Sequence, residues 1–244
     1  MQSAFRITAE LSTPLLLSGE TYLTLDALLS GVLFEDTSSV ERALAEIPLD
    51  RTHGVWHGSS VFLDSCAIRA TAPFRCGLGM RDLESGALER LALKTISRGA
   101  RRGEIAHIDT ARGVYQSTLE YYTVYHTPRV YWFGCGGIEA VEDLLSGVDG
   151  IGKKRRQGYG QVAHIEIEPI DEDLSLSRMV AAGTRVAMRP ITLECWQRLY
   201  PDTPPSAIGC TRPAPPYFKG EAQVCAIPPA REVFWGKYDN RFVL

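Results

Sequence analysis

Gly150-Ile-Gly-Lys-Lys-Arg-Arg-Gln-Gly-Tyr-Gly160 runs straight into Gln161-Val-Ala-His-Ile-Glu-Ile-Glu168, and this junction decides the fold. The second stretch places Val162, Ile165 and Ile167 as the apolar members of a strand over 161–168. The first has four glycines and four consecutive cations, which suits a turn and not a regular element. Working backwards, Ile138, Val141, Leu144 and Leu145 recur at helical spacing, and Gly147 stands where that helix should end. Residues 120–133 are rich in Tyr, Thr, Val and Trp and predict a strand.

The N-terminal part mirrors this order. Phe5, Ile7, Ala9 and Leu11 alternate with polar residues and predict a strand that continues through Pro14 to Leu17. Thr24 is placed to cap a helix whose apolar positions are Leu25, Leu28, Leu29, Val32 and Leu33. Ser38 and Glu41 form a capping box for a second short helix with Val40, Ala43, Leu44 and Ile47 on one side, ended by Pro48. Residues 59–68 read as another strand. The series strand, helix, strand, strand, helix, strand is the βαββαβ arrangement of an α+β, ferredoxin-like domain spanning 1–168. Periodicity fails over 69–119, which reads as a long insertion with its own hairpins. Residues 169–244 begin acidic (Asp171, Glu172, Asp173) and become proline-rich. They read as an irregular C-terminal extension packed on the sheet or on a partner.

Composition excludes several classes. With 244 residues, 45% hydrophobic and 23% charged, the chain is neither disordered nor fibrous. Six cysteines at irregular spacings make no disulfide scaffold, and no C-x-x-C pair supports a zinc site. Cys66 and Cys76 read as small buried hydrophobes. The thiols are expected reduced and the chain cytoplasmic, because no apolar run approaches the roughly 18 residues of a membrane span. The net charge of −3 conceals an uneven distribution. Residues 20–50 carry seven acids against Arg42 alone, whereas 150–160 carries Lys153, Lys154, Arg155 and Arg156 and no acid. Between Arg69 and Leu119 there are nine bases and five acids. Basic segments on a mildly acidic chain point to a polyanion bound on one face.

Three motif readings compete for 150–160. Gly147-x-x-x-x-Gly152-Lys153 has the spacing of a phosphate-binding P-loop, but Lys154 stands where Ser or Thr should hold magnesium, and the segment precedes a strand instead of following one. That reading is rejected. Gly158-Tyr-Gly-Gln-Val162 resembles part of the RNA recognition motif signature, with Gln157, Gln161 and His164 at its flanking positions. The third is the most specific. A glycine-rich, Lys/Arg-rich loop between the second helix and last strand of a ferredoxin-like domain resembles the RAMP superfamily of CRISPR-associated RNA-binding proteins. Leu25-Asp-Ala-Leu-Leu29 and Gly54-Val-Trp-His-Gly-Ser-Ser60 are similar to runs found in that superfamily. The resemblance covers residues 4–168.

The resemblance implies a non-catalytic RNA-binding subunit of a class 1 CRISPR ribonucleoprotein, and the compact size favours type IV. It implies partners as well: the 5′ handle of a guide RNA, and other effector subunits, above all the backbone filament that this subunit would cap. Carried onto this sequence, the RNA-binding residues are Gly152, Lys153, Lys154, Arg155, Arg156, Gln157, Gly158 and Tyr159. The 69–119 insertion becomes a thumb, with Lys94, Arg98, Arg101 and Arg102 gripping the backbone. Seven aromatics lie within residues 115–133; Trp132 is expected in the core, and a minority on an open sheet face would stack bases. No cofactor or metal is expected, since His53-x-x-x-His57 lacks a third ligand nearby. One alternative is a metal-independent guide-RNA-processing endoribonuclease, with His57 as general base and His107 and His126 behind it. Another is a general single-stranded RNA-binding module.

Overall fold

Strand β1 (Ser3–Leu11) is the axis of the structure, a computed structural model describing residues 3–17, 22–76, 118–181, 183–217, 219–228, 233–235 and 242–243. It pairs antiparallel on one side with β8 (Arg129–Gly136) and on the other with β9 (Val162–Pro169). Beyond β8 lies β5 (Phe62–Asp64), also antiparallel, and β15 (Val233–Trp235) adds parallel to β5 with β16 (Phe242–Val243) outside it. The sheet order is therefore β16-β15-β5-β8-β1-β9. The fold is α+β, with several antiparallel sheets.

The pleat of β1 sorts the two faces. Phe5, Ile7 and Ala9 point to one side with Val130 and Trp132 of β8. There they pack on α1 (Leu25–Thr37), α2 (Val40–Ala45) and α3 (Ile138–Leu145) through Leu25, Leu29, Ala43, Val141 and Leu145. Tyr131 and Phe133, one residue out of phase, point to the other side. That face is not open: with Phe62 they pack against Leu174 and Met188 from the C-terminal stretch. The expectation of aromatics free to stack bases on the sheet therefore fails for Tyr131 and Phe133, whereas Trp132 is buried as expected. Across from them β9 presents His164, Glu166 and Glu168 on the same face, and Glu168 pairs with Arg6.

Several predicted elements are divided in the structure. β1 stops at Leu11, where the register shifts, and Leu15–Leu16 forms a separate strand β2 in another sheet. The single strand expected over 120–133 is two, β7 (Thr118–His126) and β8, because Pro128 has no N–H to continue a ladder. The strand expected over 59–68 breaks at the Ser65–Cys66 turn, held by the Cys66 N–H on the Asp64 carboxylate (3.3 Å), before β6 (Ile68–Cys76). Cys66 is exposed in that turn, contrary to expectation. The predicted cap of α2 is displaced by one residue. Ser38 is consumed as the left-handed C-cap of α1, and the Ser39 hydroxyl accepts from Arg42 N instead.

Residues 71–123 form a compact unit of their own. Its described part comprises stretches of the neighbouring strands β6 and β7, with Phe74 edge-on to Tyr122 at 5.1 Å between ring centroids. Lys94, Arg98, Arg101, Arg102 and His107 lie outside the described residues.

In the C-terminal stretch, β10 (Ser177–Ala181) and β11 (Thr184–Ala187) form a hairpin. Strands β12 (Ile191–Thr192), β13 (Ile208–Thr211) and β14 (Gln223–Ala226) form a small sheet, with α4 (Leu193–Leu199) bringing Trp196 into a third cluster.

This stretch is locked to α1 by Arg189, which is fully buried. Its Nη1 donates to the carbonyls of Trp56 (2.7 Å) and Gly58 (3.0 Å), and its Nη2 to Asp26 Oδ2 (3.2 Å), Pro213 O (3.2 Å) and Tyr217 Oη (3.1 Å). The Tyr217 hydroxyl donates to Asp26 Oδ2 at 2.9 Å. Thr24 Oγ1, 2.7 Å from Tyr217 Oη, is drawn into the same cluster and makes no cap bond at the start of α1. Burial alone would disfavour the Arg189 charge, but the Asp26 carboxylate outweighs it and raises the guanidinium pKa. Arg189→Met should strand a buried carboxylate and cost about 3–5 kcal/mol in urea unfolding. The double change Asp26→Leu with Arg189→Met should recover much of that loss, and a double variant as weak as the single would refute the ion-pair account.

Candidate nucleic-acid interface

The loop over 150–160 begins where α3 has ended and returns into β9. Its base is a closed backbone ring. Ile151 N donates to Gly160 O (2.8 Å), Gly160 N to Pro14 O (2.8 Å) and Lys153 N to Leu16 O (2.8 Å). Gln161 N adds a bond to Thr13 Oγ1 (2.8 Å), and Ile151 is buried in the main core. The loop is therefore docked along residues 12–16, the segment in which β1 has ended and β2 begins.

Its glycines have reasons internal to the chain. Gly160 has φ +64° and Gly152 φ +79°. A Cβ on Gly160 would lie 2.1 Å from Ile151 O, and one on Gly152 would lie 2.6 Å from Leu16 O. These residues let the loop backbone approach its own chain, where the sequence had suggested approach to a ligand. The same bonds spend N–H groups that an anion-binding nest would need. Phosphate chemistry is left to the side chains.

Those side chains are carried by the tip. Lys154 is left-handed (φ 61°) and leads into one 3₁₀ turn, Arg155–Gln157, closed by Gln157 N on Lys154 O and Gly158 N on Arg155 O. Lys153, Arg155, Arg156 and Gln157 are exposed, while Lys154, Gly158 and Tyr159 are half-buried. Four cations on one short turn repel one another, and one is offset by an acid that the sequence did not point to. Arg155 Nη2 lies 3.3 Å from Glu35 Oε1 on α1, and its Nη1 donates to Gly150 O at 3.4 Å. An exposed pair of this kind contributes about 0–1 kcal/mol and is screened by salt. The acidic run 20–50 is thus not one repelling surface. Glu35 faces the basic loop, and Asp26 is buried on Arg189.

His57 is not part of this site. Its backbone N–H reaches Asp50 O, and its carbonyl accepts from Cys135 N, beside the Ala4 end of β1. Residues 12–16, which hold the loop, follow the opposite end. Seven residue-to-residue steps of strand lead from Ala4 to Leu11, roughly 23 Å at the rise of an extended chain. The imidazole is bound at both nitrogens, Nδ1 to Asp173 Oδ2 (2.9 Å) and Nε2 to Thr52 Oγ1 (2.8 Å). His53, with φ 49°, lies in the turn between β3 (Arg51–Thr52) and β4 (Val55–Trp56), and His126 is exposed at the end of β7.

A family model described as CRISPR type IV associated protein Csf3 matches residues 3–180. No curated protein matches the chain. The match spans β1, β5, β8 and β9 of the main sheet, its three helices and the loop.

Alanine at Gly158, where a Cβ meets nothing within 4 Å but φ is +86°, should cost about 1–2 kcal/mol. Gly160→Ala meets both the positive φ and the Ile151 carbonyl, so its loss should be clearly larger. Thermal unfolding of the two variants checks the ranking, and equal losses would show that the loop base is not packed as described.

Proposed function

The chain belongs to the Csf3 family of CRISPR type IV associated proteins, and from that premise we propose that it is a non-catalytic RNA-binding subunit that grips the 5′ handle of a guide RNA and caps the backbone filament of the effector complex. The observation that carries this reading is the 150–160 tip: four consecutive cations, Lys153 and Lys154 leading into the 3₁₀ turn that carries Arg155 and Arg156, on a loop whose base is fixed by backbone bonds to residues 12–16. Rigid placement lowers the ordering cost when phosphates dock. Lys153, Lys154 and Arg156 neutralise phosphate oxygens, and Arg155 joins them when RNA displaces Glu35. Tyr159 supplies an aromatic surface for an unstacked base.

The sheet supports the ferredoxin-like, RAMP-type reading. In the order β5-β8-β1-β9 every neighbouring pair is antiparallel, and the first and third of these strands in chain order are each followed by helices on the same face. The opposite face is covered at β5 and β8 and acidic along β9, which leaves loops and not the sheet to meet RNA. The 69–119 insertion is assigned the thumb role, with Lys94, Arg98, Arg101 and Arg102 holding the RNA backbone. Other effector subunits are partners in this reading. Among the described residues no helix is long and apolar enough to cross a membrane.

Salt titration of guide-RNA binding tests the reading. Removing Lys153, Lys154 and Arg156 together as alanines should lower the log–log salt slope by about 2, at roughly 0.7 per lost contact with single-stranded RNA. Glu35→Gln, which frees Arg155, should tighten binding by up to about fivefold. An unchanged slope in the triple variant would place the RNA elsewhere. Repeat RNA incubated with the protein in EDTA should stay intact; specific cleavage lost in His57→Ala would instead establish the endoribonuclease. Affinity indifferent to handle sequence would favour a general single-strand binder.

A further inference from the structure

At the opposite end of β1, three side chains from distant parts of the sequence converge. His57, Cys135 and Asp173 each present one donor atom, and all three atoms lie within 4.8 Å of one another. They sit in a cleft of about 580 Å³ that Asp50 also lines. We propose that His57 Nδ1, Cys135 Sγ and Asp173 Oδ2 bind a divalent ion of the zinc class, which staples residue 173 to the end of β8 and to the 50–57 hairpin.

The donor set selects the ion. Thiolate and imidazole are ligands for Zn²⁺ and its neighbours and not for Mg²⁺ or Ca²⁺, and with a carboxylate they supply three of the four positions of a tetrahedron, the fourth going to water from the open cleft. Bond lengths of about 2.0–2.3 Å around a tetrahedron put ligand atoms about 3.3–3.8 Å apart; the donors, all within 4.8 Å of one another, reach this by closing on Cys135 by about 1 Å while His57 Nδ1 and Asp173 Oδ2, now 2.9 Å apart, open by a few tenths.

The surroundings already orient each ligand. In the metal-free ring Nδ1 donates to Asp173 Oδ2 (2.9 Å); metal binding takes the other tautomer, with the proton on Nε2 facing Thr52 Oγ1 (2.8 Å) and the Nδ1 lone pair free for the ion. Ser175 N donates to Asp173 Oδ1 at 2.8 Å, so Oδ2 is the oxygen turned to His57. The backbone fixes two ligands and Asp50 as one unit. His57 N donates to Asp50 O (2.8 Å), Asp50 N to Cys135 O (2.8 Å) and Cys135 N to His57 O (3.0 Å).

Charge favours a cation as well. The Cys135 thiol donates to Asp50 Oδ2 at 3.3 Å. When a divalent ion enters, the Sγ–H proton leaves to solvent, the thiolate binds, and the Asp50 and Asp173 carboxylates acquire a positive neighbour. Arg51 lines the same cleft, but its guanidinium lies over the Trp56 ring (4.9 Å to the centroid) and its Nε donates to Gly54 O (3.1 Å).

The test is titration of metal-free full-length protein with Co²⁺ and then Zn²⁺. One Co²⁺ should bind, with a thiolate-to-cobalt charge-transfer band in the near ultraviolet that one equivalent of Zn²⁺ abolishes. Because the chain has five other cysteines, Cys135→Ser assigns the band and should remove it. Asp173→Asn, at an exposed position, should weaken Zn²⁺ binding at least tenfold, and Thr52→Val by about 10- to 100-fold. Failure to bind Co²⁺, or a band unchanged in Cys135→Ser, overturns the site. Should Cys135→Ser not fold by circular dichroism, Asp173→Asn decides alone, and unaltered affinity there overturns it too. Guide-RNA affinity, which depends on the loop at the other end of β1, is read separately.

Discussion

The buried contact of Arg189 with Asp26 and Tyr217 is the constraint on which the remaining structure depends. One guanidinium joins α1, the segment after β4 and the two C-terminal stretches around residues 189 and 213–217. Taking it out of water is costly, and Nε of Arg189 has no acceptor among the described residues. Its value lies in placement. With Arg189 held, Met188 beside it packs on Phe133 and Tyr131, and the second sheet face is covered at β5 and β8.

That closure shapes the functional argument. A four-stranded sheet with an open aromatic face would bind single-stranded RNA by stacking. Here the corresponding aromatics are core, and β9 adds carboxylates. Cationic chemistry is moved to the loop at the Leu11 end of β1, whose rigidity comes from glycines that admit close backbone contact with residues 14–16. A loop anchored at its base and charged at its tip is suited to holding a phosphate backbone in register. The His57 cleft lies at the other end of the same strand.

The loop, its flanking helix and strand, and the alternation of Phe5, Ile7 and Ala9 were legible because local periodicity and glycine placement reflect backbone demands within a few residues. The expectations that failed did so at boundaries. The strand over 120–133 was read through Pro128, and Ser38 was taken for a cap that α1 had already used at its other end. Leu25-Asp-Ala-Leu-Leu29 was legible as a motif but not as a device: its leucines are core, while Asp26 is the partner of an arginine 163 positions away.

By itself the sequence determined where helices and strands could form and where positive charge was concentrated, since both follow from side-chain type and short-range spacing. Only the tertiary structure decided which charges remain on the surface. Glu35 meets Arg155, Asp26 meets Arg189, and Asp173 meets His57. Each pairing is a through-space contact between residues far apart in the chain. Its strength depends on burial and distance, which no local pattern encodes.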